Sequence, residues 1–79
     1  MLFLFKTIAE PSVIMQKVNS SAIEKIGYQN NELFIKFITG KMYIYNGVPT
    51  NIYNKFINAE SKGKFFINNI KDRYNYQKV

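Results

Sequence analysis

The chain contains neither cysteine nor histidine, so the disulfide framework and the Cys/His zinc site that staple many very small domains are both closed to it. Its 79 residues must be held by packing alone, at a size where folding buries only about 60 to 65% of the unfolded surface. Seven Phe and six Tyr meet that need, because each buried ring withdraws roughly 150 to 250 Å² from water. One cooperative unit with an aromatic core is expected. No internal repeat, low-complexity tract or Pro/Gly/Ser linker divides it.

The same absences narrow the chemistry. Triads built on histidine and cysteine nucleophiles are impossible, and Glu24, Glu32, Glu60 and Asp72 are scattered without paired spacing. A Ser-Lys dyad using Ser20 or Ser21 competes with the more ordinary role of vicinal serines, bonding nearby backbone at a strand start. Gly27, Gly40, Gly47 and Gly63 stand too far apart to cradle a phosphate. The expectation is a non-enzymatic binding domain with no catalytic residue, no metal site and no cofactor. The apolar opening Met1-Leu2-Phe3-Leu4-Phe5 stops at Lys6, far short of the ~20 residues that span a bilayer. It also lacks the basic start and cleavage site of a secretory signal. A cytoplasmic protein without a membrane partner is expected.

Alternation and turn chemistry point to an α+β fold: a three- to four-stranded antiparallel meander followed by two short C-terminal helices packed on the sheet. Val18 to Tyr28 mixes apolar and polar residues like an irregular strand, with Gly27 as a candidate bulge. Gln29-Asn30-Asn31-Glu32 should close a hairpin, since Asn tolerates positive φ. Leu33 to Thr39 and Met42 to Asn46 form the next hairpin. With Gly40-Lys41 as a two-residue loop, Phe37 pairs with Ile44 and Ile35 with Asn46. Tyr43 and Tyr45 then share the opposite face with Ile38 and Lys36.

Pro49 opens a helix whose apolar stripe is Ile52, Tyr53, Phe56 and Ile57, ending near Ala59. Ser61 caps a second, with Phe66, Ile67, Ile70 and Tyr74 inward and Lys64, Lys71 and Arg73 toward solvent. Gly63 marks either the stop of the first helix or a close approach by the second. One of Phe65 and Phe66 is a candidate exposed anchor for a protein partner. Tyr74-Asn75-Tyr76 alternates like a short returning strand. Residues 1–14 read as an N-terminal extension or extra strand, and residues 15–79 as the domain proper.

These residues resemble the KTSC domain family. The resemblance is carried by Val18-Asn19-Ser20-Ser21-Ala22-Ile23 with Ile26-Gly27-Tyr28, then Gly40-Lys41-Met42-Tyr43-Ile44-Tyr45, then Val48-Pro49, and finally Ser61-Lys62-Gly63-Lys64-Phe65-Phe66 with Ile70 and Tyr74-Asn75-Tyr76. The family is named for its occurrence at the C-terminus of some lysyl-tRNA synthetases and also stands alone in bacteria and phages. That attachment implies RNA as a ligand class, by association.

Charge supports a polyanionic partner independently. Residues 41–79 carry seven cationic side chains against two carboxylates, whereas residues 1–40 carry four against three. Lys62, Lys64, Lys71 and Arg73 around the second helix are the candidate phosphate ligands. Tyr43 and Tyr45 beside Lys36 are the candidate base-stacking surface. Each has a plain competitor: a solvated helix face for the cations, and half-buried core for the tyrosines. The leading expectation is a nucleic-acid-binding domain, most directly for RNA. The alternative is a protein-interaction module, such as a phage or mobile-element protein that binds a host factor, or a homodimer through the N-terminal apolar segment.

Overall fold

The computed structural model describes residues 13–79. The element order is β1 (Gln16–Lys17), β2 (Ile23–Gln29), β3 (Glu32–Phe37), β4 (Met42–Asn46), α1 (Thr50–Ile57), α2 (Lys62–Asn69) and β5 (Tyr76–Lys78). The strands form one antiparallel sheet in sequence order, so the expected meander gains a two-residue edge at β1 and a three-residue edge at β5. Both helices lie between β4 and β5 in the chain and contribute Phe56 and Phe66 to one core with Ile26, Leu33, Ile35 and Tyr45. They therefore cover a single face of the sheet, here called the front. The expectation of an N-terminal extension or extra strand over residues 1–14 lies, as far as residue 12, outside the described residues, as does the N-terminal dimer contact.

The two hairpins are closed by different devices. Asn30 and Asn31 take φ of 53° and 63° between the paired Gln29 and Glu32, the doubly left-handed geometry of a type I′ turn that matches strand twist. Between β3 and β4 the loop is longer than the expected Gly40-Lys41 pair. The Phe37 N–H donates to the Lys41 carbonyl at 2.8 Å, leaving Ile38, Thr39 and Gly40 as the loop, with Gly40 at φ 96°. Leu33 consequently pairs with Tyr45 and Ile35 with Tyr43, three places from the expected register. An odd shift moves a whole strand to the other face. Tyr43 and Tyr45 thus join the front face, while Lys36, opposite Met42, lies on the back.

Strand β2 is bulged, at Glu24 rather than at Gly27. Ile23 and Ile26 are both fully buried in the front core, yet plain alternation would set residues three apart on opposite faces. The extra residue brings them into phase. Gly27 serves the back face instead. A Cβ there would fall 2.6 Å from Met15 Sδ, 2.7 Å from Val13 Cγ1 and 3.1 Å from the Ile14 carbonyl, so only glycine lets residues 13–15 cross the strand this closely.

Proline 49 is the N-cap of α1, and Ile52, Tyr53, Phe56 and Ile57 all pack on the core as their spacing requires. Tyr53 stacks on Tyr28 with ring centroids 4.3 Å apart, and the Tyr28 hydroxyl donates to the Val48 carbonyl at 2.6 Å. Those contacts tie α1 to β2. In α2 the Ser61 hydroxyl accepts from the Lys64 N–H at 3.3 Å, the expected cap. The helix sits in the corner between sheet and α1, which widens its apolar arc. Phe66 meets Phe37 and Tyr45, while Phe65 stacks on Phe56. Neither phenylalanine is the exposed anchor, and Ile67, expected inward, is 62% exposed instead.

Candidate nucleic-acid interface

The front face near β4 is a continuous set of aromatic rings. Phe37 contacts Tyr43 and Phe66 edge-to-face at 5.7 and 5.3 Å. Tyr45 contacts Phe66 at 5.5 Å and Tyr76 at 5.4 Å. Offset and edge-to-face pairs of this kind add to the area each ring buries. Tyr45 lies at the bottom, 2% exposed, and its phenol is pushed up to about 12 by burial first, with Tyr76, Tyr43 and Asp72 reinforcing it. Its ring is core and offers no stacking surface. Tyr43 is only half-buried.

Where the cover given by α2 stops, a cavity of about 490 Å³ opens over this cluster. Its floor is Phe37, Tyr43, Tyr45 and Phe66, one wall is the loop carrying Ile38 and Thr39, and the chain entering β2 supplies Ser21 and Ala22. Lys41 and Lys71 complete the lining, and among the described residues no carboxylate belongs to it. The loop wall is held in place, because the Ile38 N–H donates to the Ala22 carbonyl at 3.0 Å. Lys41 is a residue that the sequence reading passed over as part of a turn. The signal was present: Lys41, Tyr43 and Tyr45 alternate on one face of β4 and its approach.

The structure separates the other candidates. Lys62 turns its ammonium to the Ala59 carbonyl at 3.0 Å, closing the end of α1 in the way basic side chains complement a helix C-terminus. Lys36, paired with Met42 next to Tyr43, is on the back face, opposite the tyrosine pair it was expected to flank. Lys64, Ile67 and Asn68 share the outward face of α2 and are exposed. The helix closes at its C-cap Ile70: the N–H groups of Ile70 and Lys71 both donate to the Phe66 carbonyl, at 3.0 and 2.9 Å, so Lys71 lies exposed in the turn just past the helix. Arg73 is exposed in the turn beyond. Lys64 on the outward face of α2 and Lys71 just past its end are therefore exposed cations, and Lys71 lines the cavity together with Lys41.

A second, polar recess of about 220 Å³ lies at the start of α2, between Asn19, Ser20, Ser21 and the Glu60–Gly63 segment. The Ser20 hydroxyl there accepts from the N–H groups of Ala22 and Ile23, each at 3.2 Å. It is occupied as a turn former rather than poised as a nucleophile. Among the described residues no cluster of three His, Cys, Asp or Glu is placed to hold a metal. None of their helices is long and apolar enough to cross a membrane.

The KTSC domain family model matches residues 19–74. A protein of Tsukamurella paurometabola is 40% identical over 62 residues, covering 76% of this chain and 92% of its own length. The crystal structure of a KTSC domain protein from Yersinia pestis superposes with a TM-score of 0.81 at 39% identity, covering 86% of this chain and 99% of that one. The matched span runs from Asn19, ahead of the Ser20 turn, to Tyr74, at the approach to β5. It takes in the sheet strands β2 to β4, both helices and every residue lining the aromatic cavity. On this agreement of sequence and fold, the chain belongs to the KTSC domain family.

Proposed function

We propose that this chain is a small, non-catalytic, cytoplasmic nucleic-acid-binding module that holds single-stranded RNA along α2. The observation that carries the reading is exposed Lys64 on α2 with Lys71 just past the helix end, the latter beside Lys41 at a cavity with no acidic lining residue among the described residues. Lysines so placed attract phosphates with salt-sensitive affinity, and half-buried Tyr43 adds a ring beside them. Arg73 extends the cationic surface beyond the helix. The family's attachment to lysyl-tRNA synthetases favours RNA over DNA.

The test is a salt titration with a labelled single-stranded RNA. Affinity should fall linearly in log-log coordinates, and replacing Lys64 and Lys71 together with Ala should lower the slope by roughly 1.4, about 0.7 for each lost contact to a single strand. Replacing Lys36, on the back face, should leave the slope unchanged. Absence of binding at low salt would refute the reading.

A protein-interaction module, for example one that docks on a host factor, is the second reading. Ile38 and Ile67, 55% and 62% exposed, flank Phe66 and support it. A stable complex that resists high salt in a pull-down would favour this alternative.

A further inference from the structure

We infer that the aromatic cavity between the β3–β4 loop and the end of α2 is a subsite for one unpaired nucleobase, an assignment that rests on the RNA-binding reading above. Three features define its occupant. The floor is aromatic, with Tyr43 and Phe37 half-buried above fully covered neighbours, and it suits a flat apolar body. Its volume of about 490 Å³ falls within the roughly 300 to 1,000 Å³ of small-ligand sites. Lys41 and Lys71 stand at the rim with no carboxylate among the described lining residues, which favours an occupant with negative charge at the edge of that body. A nucleotide unit of a single strand has this division: base inward, phosphate outward.

The polar atoms agree. Thr39 and Ser21 place hydroxyls among the lining residues, and a hydroxyl both donates and accepts, as base edges require. From Lys64 to the end of α2 at Asn69 the helix runs about 8 Å at 1.5 Å per residue, and Lys71 follows in the turn beyond. A strand lying along the two lysines is delivered to the cavity mouth. The loop wall is pinned to Ala22 by the Ile38 N–H, so the site is formed in advance of binding and little ordering opposes it.

The test compares two RNA hexamers by fluorescence anisotropy at low salt: intact oligouridylate or oligoadenylate, and the same strands made wholly of abasic ribose phosphates. The intact strands should bind about tenfold more tightly, the scale of one stacked base. The Tyr43→Ala variant should lose that difference while keeping the salt slope. Because Tyr43 also packs on the core, Thr39→Glu on the exposed loop provides a second variant; it should weaken the intact strand at least fivefold with an unchanged Tm. Equal binding of intact and abasic strands would overturn the base subsite and leave the phosphate contacts standing. Loss of all RNA binding would overturn both. Occupation of the cavity by an acidic aromatic peptide that RNA cannot displace would overturn the nucleobase assignment in favour of a protein ligand.

Discussion

The two faces of the sheet are built from different materials. On the front, Phe56 and Phe66 come down from the helices onto Ile26, Leu33, Ile35 and Tyr45, and the rings continue through Phe37, Tyr43 and Tyr76. Across the back, one row runs from Gly27 through Phe34 to Ile44, crossed at Gly27 by the approach of Val13 and Met15. Phe34 is buried there, at 5% exposure, yet stands apart from the main core. The helices close the front face over Leu33 and Tyr45, and the cavity lies where that cover stops, above half-buried Tyr43 and Phe37. A small domain can keep an aromatic surface half-open only because the rest of the same cluster is firmly closed.

The largest effect should therefore follow from opening the closed end. Phe56→Ala removes a fully buried ring between α1, α2 and the sheet, and should cost about 3 to 5 kcal/mol. That is a large part of the 5 to 15 kcal/mol typical of a whole domain. Urea denaturation followed by far-UV circular dichroism reads it directly. A loss under 1 kcal/mol would mean that the helices do not hold the front face.

Next in size is a pH effect confined to the bottom of the ring cluster. The Tyr45 phenol is raised to about 12 from an ordinary 10, chiefly by burial, so folding favours its protonated form. A group raised in the folded state contributes stability that is complete below the unfolded pKa and is lost as pH climbs through the folded one. The contribution from Tyr45 should hold up to about pH 9 and fall between roughly 10 and 12 by about 1 to 2 kcal/mol, solvent screening reducing the full effect of the shift. The Tyr45→Phe variant should lack that share of the alkaline fall in denaturant midpoints measured at each pH. An identical fall in both proteins would move the origin elsewhere.

The back face should fail more locally. Gly27→Ala places a methyl against Val13 Cγ1 and the Ile14 carbonyl; the Met15 sulfur can swing aside, but a branched side chain and a backbone oxygen cannot yield as easily. A cost of about 1 to 2 kcal/mol is expected. Amide exchange should quicken in the two-residue β1 pairing with Lys25 and Ile26, while Leu33 and Ile35 stay protected. Uniform loss of protection would show that the two faces are one cooperative structure.

How much of this was legible depends on whether a residue type admits one geometry or two. Asn30-Asn31 admits one in that position, and the β2–β3 hairpin turn was readable from it, though the bulge at Glu24 was not. Gly40 serves equally in a two-residue loop and at the end of a three-residue loop, and the difference carried Tyr43 and Tyr45 from one face to the other. The helices and the Ser61 cap were readable because spacing and side-chain oxygen chemistry act locally. Half-buried core was already one of the readings open to Tyr43 and Tyr45, but the turn of Lys62 toward Ala59 and the cavity were not readable, since both depend on how α2 settles in its corner. Lysines at Lys64 and Lys71 could be placed on a solvent side from spacing alone, but the meeting of Lys71 with Lys41 required the true register.

The smallest expected effect has the opposite sign. Gly63, read from sequence as either a helix stop or a point of close approach, is neither: it is the second residue of α2, and a Cβ there would lie an ordinary 3.7 Å from Ala22 Cβ. Nothing in the folded state needs its freedom, while the unfolded chain retains it. Gly63→Ala should thus stabilise by about 0.5 kcal/mol, by restricting the unfolded ensemble and adding one methyl contact. Measured beside Gly27→Ala under the same conditions, it makes a pair in which one substitution destabilises and the other stabilises. If both lowered the denaturant midpoint, α2 and the chain entering β2 would have to approach more closely than this arrangement of the front face allows.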